Sequence, residues 1–265
     1  MKPIENACVL ITGGSKGIGL ALAKEFARHG HNLILVARGE EALTDSATML
    51  RESYGVSVET IAMDISTEHA PEKLFDTVAQ AGLMVDILVN NAGTGMTGPF
   101  AEADDPGMKN MLKLNILTLN RLTRLFLPPM LERRRGRILN VASVVAYFSG
   151  APNWAAYVAS KHYVLAFTRG LARELRGTGV AATAVSPGTI ATDFVKTANA
   201  ADMRAYRSPG GASAEHTATL AYRASQKGKT VVIPGMLNKV LAFLGELPPR
   251  VIAFEVFAFL SQKAE

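Results

Sequence analysis

Residues 8–38, CVLITGGSKGIGLALAKEFARHGHNLILVAR, decide the fold of this chain. An apolar run at their start is followed by the glycine-rich TGGSKGIG, then by the amphipathic LALAKEFARHG, and then by a second apolar run, Asn32 to Ala37. This order is typical of a strand, a tight loop, a helix that stops near Gly30, and a second strand. Two parallel strands joined by a helix form a βαβ unit, so the stretch predicts a parallel sheet.

The remainder of the chain repeats the same alternation of apolar runs and helical stretches. We predict further strands at residues 56–63, 85–89, 137–141, 180–185 and 231–233. Helices are predicted at residues 40–54, 71–81, 108–127 and 154–175, and the third of these is expected to end at Pro128 and Pro129. The chain is therefore predicted to be an α/β protein with a Rossmann-type, doubly wound parallel sheet.

The length of 265 residues suits one large α/β domain, and 48% hydrophobic residues are enough for a sizeable core. We predict that residues 1–235 form this single domain. An apolar helical tail, residues 236–265, is expected to pack on the domain or on a partner subunit. Residues 196–214 are rich in small and polar side chains, which favours a lid or loop with short helical pieces.

Composition excludes several classes of site. A single cysteine, Cys8, rules out an intrachain disulfide and a cysteine cluster for zinc, and the five histidines lack metal-ligand spacing, so no metal site is predicted. The start of the chain lacks the features of a secretory signal, which leads us to expect a cytoplasmic protein. The formal charge is +5, but only Arg133 to Arg135 form a basic run, and we expect no nucleic-acid partner.

The loop TGGSKGIG lies between an apolar strand and an amphipathic helix. Glycine lets the backbone turn tightly and approach a pyrophosphate, whose charge is favoured by the free amides at a helix N-terminus. The spacing differs from the usual G-x-G-x-x-G dinucleotide fingerprint, but the physical reason is the same. We predict that this loop binds the phosphates of a dinucleotide through Gly13, Ser15, Lys16, Gly17, Ile18 and Gly19.

The end of the second strand predicts which dinucleotide binds. An acidic residue there would hydrogen-bond the ribose hydroxyl of NAD(H), whereas an arginine accommodates the 2'-phosphate of NADP(H). The sequence has Arg38 at this point, and Lys16 supplies a second cation. Glu40 and Glu41 fit the first turn of a helix, where acidic side chains suit the helix dipole. We predict NADP(H); the alternative is that both cations are merely solvated.

Three polar residues that could act on one carbonyl lie in residues 140–161, NVASVVAYFSGAPNWAAYVASK. Ser143 closes an apolar run, and Tyr157 and Lys161 are four residues apart, which places them on one face of a helix. A neighbouring cation favours the phenolate and lowers the pKa of a tyrosine, so that it can exchange protons near neutral pH. Tyrosine and lysine at this spacing also occur by chance, so the pair alone does not decide the function.

The motifs together resemble those of the short-chain dehydrogenases/reductases. TGGSKGIG, NNAG at residues 90–93, Asn115, Ser143, the pair Tyr157 and Lys161, and SPG at residues 186–188 occur in the order seen in that family, over about residues 8–232. The resemblance implies that Tyr157 protonates the carbonyl oxygen as hydride arrives, and that Ser143 polarises this oxygen. It also implies that Lys161 binds the nicotinamide ribose and that Asn115 holds a water connecting the lysine to solvent.

The resemblance implies further cofactor contacts. Asp64 is similar to the acidic residue that contacts the adenine amino group, and Asn91 to the residue that supports the central sheet. The remaining contacts that the resemblance implies come from the NNAG motif, the catalytic helix and the turn after the sixth strand: Ala92, Gly93, Tyr157, Lys161, Pro187, Gly188, Ile190 and Thr192.

Three of these assignments have structural alternatives. Asn115 has a neighbour, Asn120, and either could cap or pack instead of taking part in catalysis. Asp64 could simply cap the following turn or helix. Ser149 is an alternative to Ser143, although its position in the loop SGAP favours a turn residue.

The tail and the lid supply Phe, Leu, Met and Tyr side chains, which favours an apolar substrate such as a bulky or lipid-like ketone. The apolar residues 251–260, VIAFEVFAFL, contain Glu255 and are too short for the roughly 20 residues of a membrane span. Peripheral contact with a membrane stays open as an alternative. Homodimers or homotetramers are what the family resemblance implies.

The sequence therefore predicts an NADP(H)-dependent oxidoreductase that interconverts a ketone and a secondary alcohol, working as a reductase of an apolar carbonyl compound. One alternative is a non-catalytic NADP(H)-binding sensor or scaffold protein, against which the complete set of Ser143, Tyr157 and Lys161 argues. The other is a protein that acts mainly at a membrane surface through its tail.

Overall fold

A seven-stranded parallel sheet with helices on both faces forms the fold of the computed structural model, which describes residues 2–190 and 212–247. Strands β1 to β7 span Cys8–Thr12, Asn32–Ala37, Val58–Ala62, Ile87–Asn90, Gly136–Val141, Val180–Val185 and Val231–Val232. Helices α1 to α8 span Gly17–Arg28, Glu40–Tyr54, Ala70–Gln80, Asp105–Leu112, Leu119–Glu132, Ala155–Glu174, Ala214–Gln226 and Met236–Glu246. A π-helical segment, Lys113–Thr118, joins α4 to α5.

The strand order is β3-β2-β1-β4-β5-β6-β7, and every neighbouring pair is parallel. The connection after β1 runs to β2 on one side, whereas β4 returns to the other side of β1. The order therefore reverses between β1 and β4, and crevices at such a switch point bind ligands outside the carboxyl ends of the strands. This confirms the predicted doubly wound, Rossmann-type single domain.

Alternate residues of each strand face the two layers of helices. In β1, Val9 and Ile11 pack with α1, α2 and α7, while Leu10 packs on the opposite side with α3 and α5. Both faces are buried, which explains why the strands read in the sequence as continuous apolar runs rather than as alternating ones. Within the described residues, the helices are too short or too polar to cross a membrane.

Two predictions about helices were wrong or incomplete. Pro128 and Pro129 do not end α5, which continues to Glu132. A proline removes a backbone donor, but one carbonyl that loses its partner here belongs to Arg124 on the exposed side of the helix, where water can replace it. The fully buried Met130 then holds the last turn in the core.

The second discrepancy is α7, which the sequence interpretation missed. Its apolar face consists of alanines, among them Ala218 and Ala221, and such small side chains give a weak periodic signal. Ser213 begins the helix by accepting a hydrogen bond from the His216 amide at 3.1 Å. Residues 196–211 of the predicted lid and most of the tail beyond α8 lie outside the described residues, whereas Ala214, the last residue of the predicted lid, begins α7. The domain boundary at residue 235 stays a prediction.

A buried histidine joins the start of β2 to α7. His31 Nδ1 accepts a hydrogen bond from the Ala7 amide at 3.1 Å, and Nε2 lies 3.3 Å from the Tyr222 hydroxyl. The ring must therefore be neutral to keep the bond from Ala7. Burial, and secondarily the nearby His29, lower the pKa of His31 to about 4.

We predict that this histidine makes the fold sensitive to mild acid. The unfolded chain takes up the proton near pH 6.5 and the folded chain only near 4, so the stabilisation is complete above pH 6.5 and is lost as the pH falls towards 4. Linkage gives a loss on the order of 2 kcal/mol between pH 7 and pH 5. Denaturant unfolding of the wild type and His31→Asn at both pH values measures it. If the wild type and His31→Asn lost the same free energy of unfolding between pH 7 and pH 5, His31 would not be the cause of the acid sensitivity.

Candidate active site

A cavity of about 610 Å³ opens at the carboxyl edge of the sheet. Its wall contains all the predicted site residues except two: Asn115 lies behind the wall, and Thr192 is outside the described residues. The loop after β1, the ends of β2 to β6 and the start of α6 all contribute to the lining. Residues spread over more than 170 positions of sequence are thus brought to one edge.

The glycine loop forms one end of this cavity. Gly13 and Gly17 have φ angles of 67° and 54°, which disfavour other residues, and a Cβ on Gly19 would collide with the Gly13 carbonyl oxygen. Asn91 Nδ2 donates to the carbonyl oxygens of Thr12 at 2.9 Å and Gly13 at 3.1 Å. Asn91 therefore fastens the loop to the end of β4, and its role towards a cofactor stays a prediction.

Charged side chains mark the end of the cavity beyond β2 and β3. Arg38 is exposed there, and Asp64 Oδ1 accepts hydrogen bonds from the amide of Ser66 at 2.9 Å and from its hydroxyl at 2.6 Å. Burial alone would raise the pKa of Asp64, but these hydrogen bonds and the charge of Arg38 hold it below its usual value. Asp64 thus shapes the turn, as the structural alternative stated, and lines the cavity as well.

Ser143, Tyr157 and Lys161 line the part of the cavity beneath β5 and α6. Ser143 follows β5 and its Oγ accepts from the Val145 amide at 3.3 Å, whereas the alternative residue, Ser149, is absent from the lining among the described residues. Tyr157 lies in the first turn of α6, and Lys161 Nζ is 5.9 Å from the centre of its ring. The sequence spacing therefore does place the three side chains around one space.

Lys161 is a buried cation. Its ammonium donates to the Val141 carbonyl oxygen at 2.9 Å, and burial lowers the pKa of Lys161 to about 8. A lysine in this state keeps most of its charge at neutral pH and can lose it in mildly alkaline solution.

Asn115 connects the loop after β4 to α6. Its Nδ2 donates to the Thr94 carbonyl oxygen at 3.0 Å and to Ser160 Oγ at 3.1 Å, and its Oδ1 accepts from the Thr94 amide at 3.1 Å. Ser160 in turn donates to the Tyr157 carbonyl oxygen at 2.7 Å. The side chain thus braces α6, and its predicted part in proton transfer stays a prediction. Asn120 instead donates to the Tyr163 hydroxyl at 3.0 Å.

The sequence interpretation missed the wall opposite the glycine loop. This wall is formed by uncharged side chains from five separate segments: Thr94, Asn110, Val145, Phe148, Trp154 and Leu241. Within the described part of the chain, the charged residues of the lining are Lys16, Arg38, Asp64 and Lys161, which all belong to the predicted set. No periodic or spacing signal in the sequence could have grouped these residues, because they lie on separate helices, turns and loops.

Helix α8 closes this wall and braces two parts of the site. Asn238 packs against Gly188 so closely that a Cβ there would overlap its amide group, and its Nδ2 donates to the Pro234 carbonyl oxygen at 2.6 Å. Gly245 packs against the backbone of Tyr147, in the turn that follows Ser143. Arg169 of α6 ties the end of α8 through an ion pair with Glu246 at 2.9 Å.

The described residues fit a dinucleotide. The glycine loop leaves no room for a Cβ at Gly13, Gly14 and Gly19, and it leads into the amino end of α1. A cation and a carboxylate lie at one end of the cavity, and polar groups that can exchange a proton lie at the other. Such an arrangement can hold a charged, elongated cofactor with its reactive end beside Tyr157.

Comparison with known proteins agrees with this geometry. The family model described as short chain dehydrogenase matches residues 7–203. A very-long-chain 3-oxoacyl-CoA reductase of Anas platyrhynchos is 35% identical over 197 residues, 72% of this chain but only 62% of the reductase. A protein of Streptomyces coelicolor described as a ketoacyl reductase is 37% identical over 206 residues, covering 77% of this chain and 76% of that protein.

Solved structures are similar over most of the chain. A short-chain dehydrogenase from Sphingobium yanoikuyae in complex with NADPH has a TM-score of 0.79 and 31% identity, covering 87% of this chain and 88% of that one. A short-chain dehydrogenase/reductase from Burkholderia phymatum in complex with NAD has a TM-score of 0.83 and 27% identity, covering 92% of this chain and 94% of that one. The bulky-bulky ketone specific alcohol dehydrogenase from Comamonas testosteroni has a TM-score of 0.75 and 26% identity, covering 93% of this chain and 96% of that one.

We predict that Lys161→Met makes the fold more stable near neutral pH. Because the pKa of the folded lysine is about 8 and that of an unfolded lysine is 10.5, the buried charge lowers the free energy of unfolding fully below pH 8. Removing it should add on the order of 1–2 kcal/mol at pH 7, after allowing for the lost hydrogen bond to Val141. The gain should shrink as the pH approaches 10.

Denaturant unfolding at pH 7 and pH 10 measures this gain. The control is Lys73→Met, which removes an exposed lysine of α3 and should change stability little at either pH. If Lys161→Met were less stable than the wild type at pH 7, the contacts of the ammonium would stabilise the fold by more than its burial destabilises it, and the prediction would be wrong.

Proposed function

The chain belongs to the short-chain dehydrogenase/reductase family, an oxidoreductase family, and we propose that it uses NADP(H) to reduce a ketone to a secondary alcohol. The observation that carries this proposal is the meeting of Ser143, Tyr157 and Lys161 in the same cavity as the glycine loop. A binding protein would need the loop alone. The three polar side chains at the far end are those that a carbonyl reduction requires.

Each of the three side chains has a distinct task. When bound, NADPH would supply the hydride. Because Ser143 Oγ already accepts a hydrogen bond from Val145, its own proton can be donated to the substrate oxygen. Tyr157 gives the proton that completes the alcohol, and the charge of Lys161, held 5.9 Å from the phenol ring, stabilises the phenolate that remains. In the reverse direction Tyr157 takes the proton.

The preference for NADP(H) rests on charge. Arg38 stands at the end of β2, where an acidic residue would favour the ribose hydroxyls of NAD(H), and Lys16 of the glycine loop also lines the cavity. A guanidinium can bind a phosphate through two parallel hydrogen bonds. Similar proteins of known structure include complexes with NADPH and with NAD, so the argument depends on these two cations.

The substrate that we propose is a bulky, apolar ketone. Phe148, Trp154 and Leu241 supply apolar surface to the cavity wall, while Thr94 and Asn110 offer neutral polar groups. An uncharged wall of this kind gives no partner to a charged group near the reacting carbon. Names of similar proteins, such as ketoacyl reductase and bulky ketone alcohol dehydrogenase, support this class of substrate.

The expected cytoplasmic location and a homodimer or homotetramer belong to the same proposal. They rest on the sequence of the chain and on the family resemblance.

We predict that Tyr157→Phe abolishes turnover without abolishing cofactor binding. Without the phenolic proton, kcat for a reducible ketone should fall by about 10³-fold or more, while the Kd for NADPH changes by less than about 3-fold. The control is Tyr163→Phe on the same helix, whose hydroxyl accepts from Asn120 away from the cavity.

NADPH consumption over ketones of graded size and apolarity, with NADPH binding measured separately, tests the proposal. Retention of turnover in Tyr157→Phe would remove the tyrosine from its role. Tight NADPH binding with no turnover of any ketone by the wild type would instead favour the sensor or scaffold alternative.

We predict that Arg38→Ala weakens NADPH binding selectively. Loss of a charge-assisted contact to the 2'-phosphate should raise the Kd for NADPH by about 10- to 100-fold and leave that for NADH nearly unchanged. Fluorescence titration with NADPH and with NADH measures both Kd values in the variant and in the wild type. Arg173→Ala, which removes an exposed arginine at the end of α6, is the control and should change neither. An equal loss for both nucleotides would place Arg38 away from the phosphate.

A further inference from the structure

Helix α8 is apolar on both of its faces. Its inward face packs on the site: Leu241 lines the cavity, Ala242 is buried in the core beside Val144, and Gly245 contacts the backbone of Tyr147. Apolar side chains on this face are explained by the packing. Those on the other face have no such explanation within the described residues.

The outward face of α8 carries the main apolar surface of the described chain. Six large apolar side chains of α8 and the residue after it are between 40% and 75% exposed: Met236, Leu237, Val240, Phe243, Leu244 and Leu247. At 100° per residue, these six fall within one sector about 120° wide, with the buried residues on the opposite side. They therefore form one continuous stripe, which we call the α8 stripe.

Exposed large apolar side chains are concentrated on the α8 stripe and are sparse on the rest of the described surface. Nine large apolar side chains are strongly exposed in residues 2–190 and 212–247, and the α8 stripe holds six of them. The other three, Met84, Phe100 and Leu117, lie on three different segments. Scattered exposed apolar residues are ordinary, whereas a continuous patch marks a surface that binds something.

We propose that the α8 stripe docks this protein onto a lipid surface. A protein partner would be expected to meet a mixed surface, with about one hydrogen bond per 100–200 Å² of interface. The stripe offers no polar side chain within its sector; Lys239 and Glu246 lie along one flank, and Glu246 is paired with Arg169. A helix that packs one face on its own domain and exposes an apolar sector with a lysine beside it can bury that sector in the interface of a membrane while the lysine reaches the headgroups.

The extent of the stripe also favours lipid over a second copy of the chain. The exposed fractions of the six residues correspond to roughly 600 Å² of accessible surface, at the upper end for an apolar patch on a monomer. A standard interface between two proteins needs about 800 Å² on each partner, part of it polar. After Pro248, Pro249 and Arg250, residues 251–260 form a second apolar sequence with the single charge of Glu255.

Docking in this orientation would bring the site close to the lipid. Leu241, on the inward face of the same helix, is part of the uncharged wall of the cavity. A ketone dissolved in the membrane could then reach the wall with little exposure to water. This last consequence rests on the proposed function, whereas the docking itself does not.

Vesicle flotation of the full chain tests the proposal. Neutral phosphatidylcholine vesicles in 0.5 M NaCl serve as the probe, because salt suppresses purely electrostatic adsorption. We expect the wild type to float with the vesicles and Met236→Ser/Leu237→Ser to do so at least five-fold less. The matched control is Met84→Ser/Leu117→Ser, which removes the same two residue types at similar exposure, 65% and 62% against 75% and 66%, and should float like the wild type.

Further variants separate the alternatives. Phe243→Ser/Leu244→Ser, at the other end of the stripe, should reduce flotation like the first pair. Failure of the wild type to float, equal flotation of all variants, or loss only in Phe254→Ser/Phe257→Ser would overturn the proposal. So would sedimentation velocity showing that the stripe variants change the oligomer mass, which would assign the stripe to a second copy. Circular dichroism and NADPH binding confirm that each variant is folded, independently of any ketone turnover.

Discussion

All seven strands of the sheet run in one direction, and this constraint decides where everything else can lie. A parallel pair needs a crossover connection, so each strand ends at the same edge and each helix returns the chain to the other edge. The strand order reverses between β1 and β4, which opens a crevice at the carboxyl edge. Gly19, Asp64, Ser143 and Lys161 are far apart in the sequence, yet they line one cavity because of this geometry.

Burial of Lys161 within that crevice changes its protonation chemistry and also lowers the stability of the fold. The charge of Lys161 is desolvated, which lowers its pKa, and the ammonium is held by a single described carbonyl contact from Val141. A buried charge of this kind destabilises the fold, and function is the reason to keep it. The surrounding polar network is well connected: Asn115, Thr94 and Ser160 tie the loop after β4 to the backbone of Tyr157. These hydrogen bonds hold the first turn of α6, and with it the Tyr157 ring that Lys161 approaches to 5.9 Å.

Much of the fold and of the cofactor side could be predicted from the sequence, because these residues follow strands that are buried on both faces. Apolar runs fixed the strands to within a few residues, and the polar residue after each run was then placed at the cavity. Local patterns failed where tertiary packing decides: buried Met130 carries α5 past two prolines, and the alanines of α7 give little periodic signal. Trp154 and Leu241 line the same cavity although they are far apart in the sequence, and neither segment has a pattern that predicts its proximity to the other.

The opposite edge of the sheet has a practical consequence. There the turns before β2, β3 and β4 contain Gly30, Gly55 and Gly82, each with a positive φ and with no atom within 4 Å of the place where a Cβ would stand. These turns are remote from the cavity because the strands that they precede end at it. A reporter group or a surface tether attached beside them would leave the crevice open. Immobilised or dye-labelled forms of the protein could therefore be made with the binding edge facing solution.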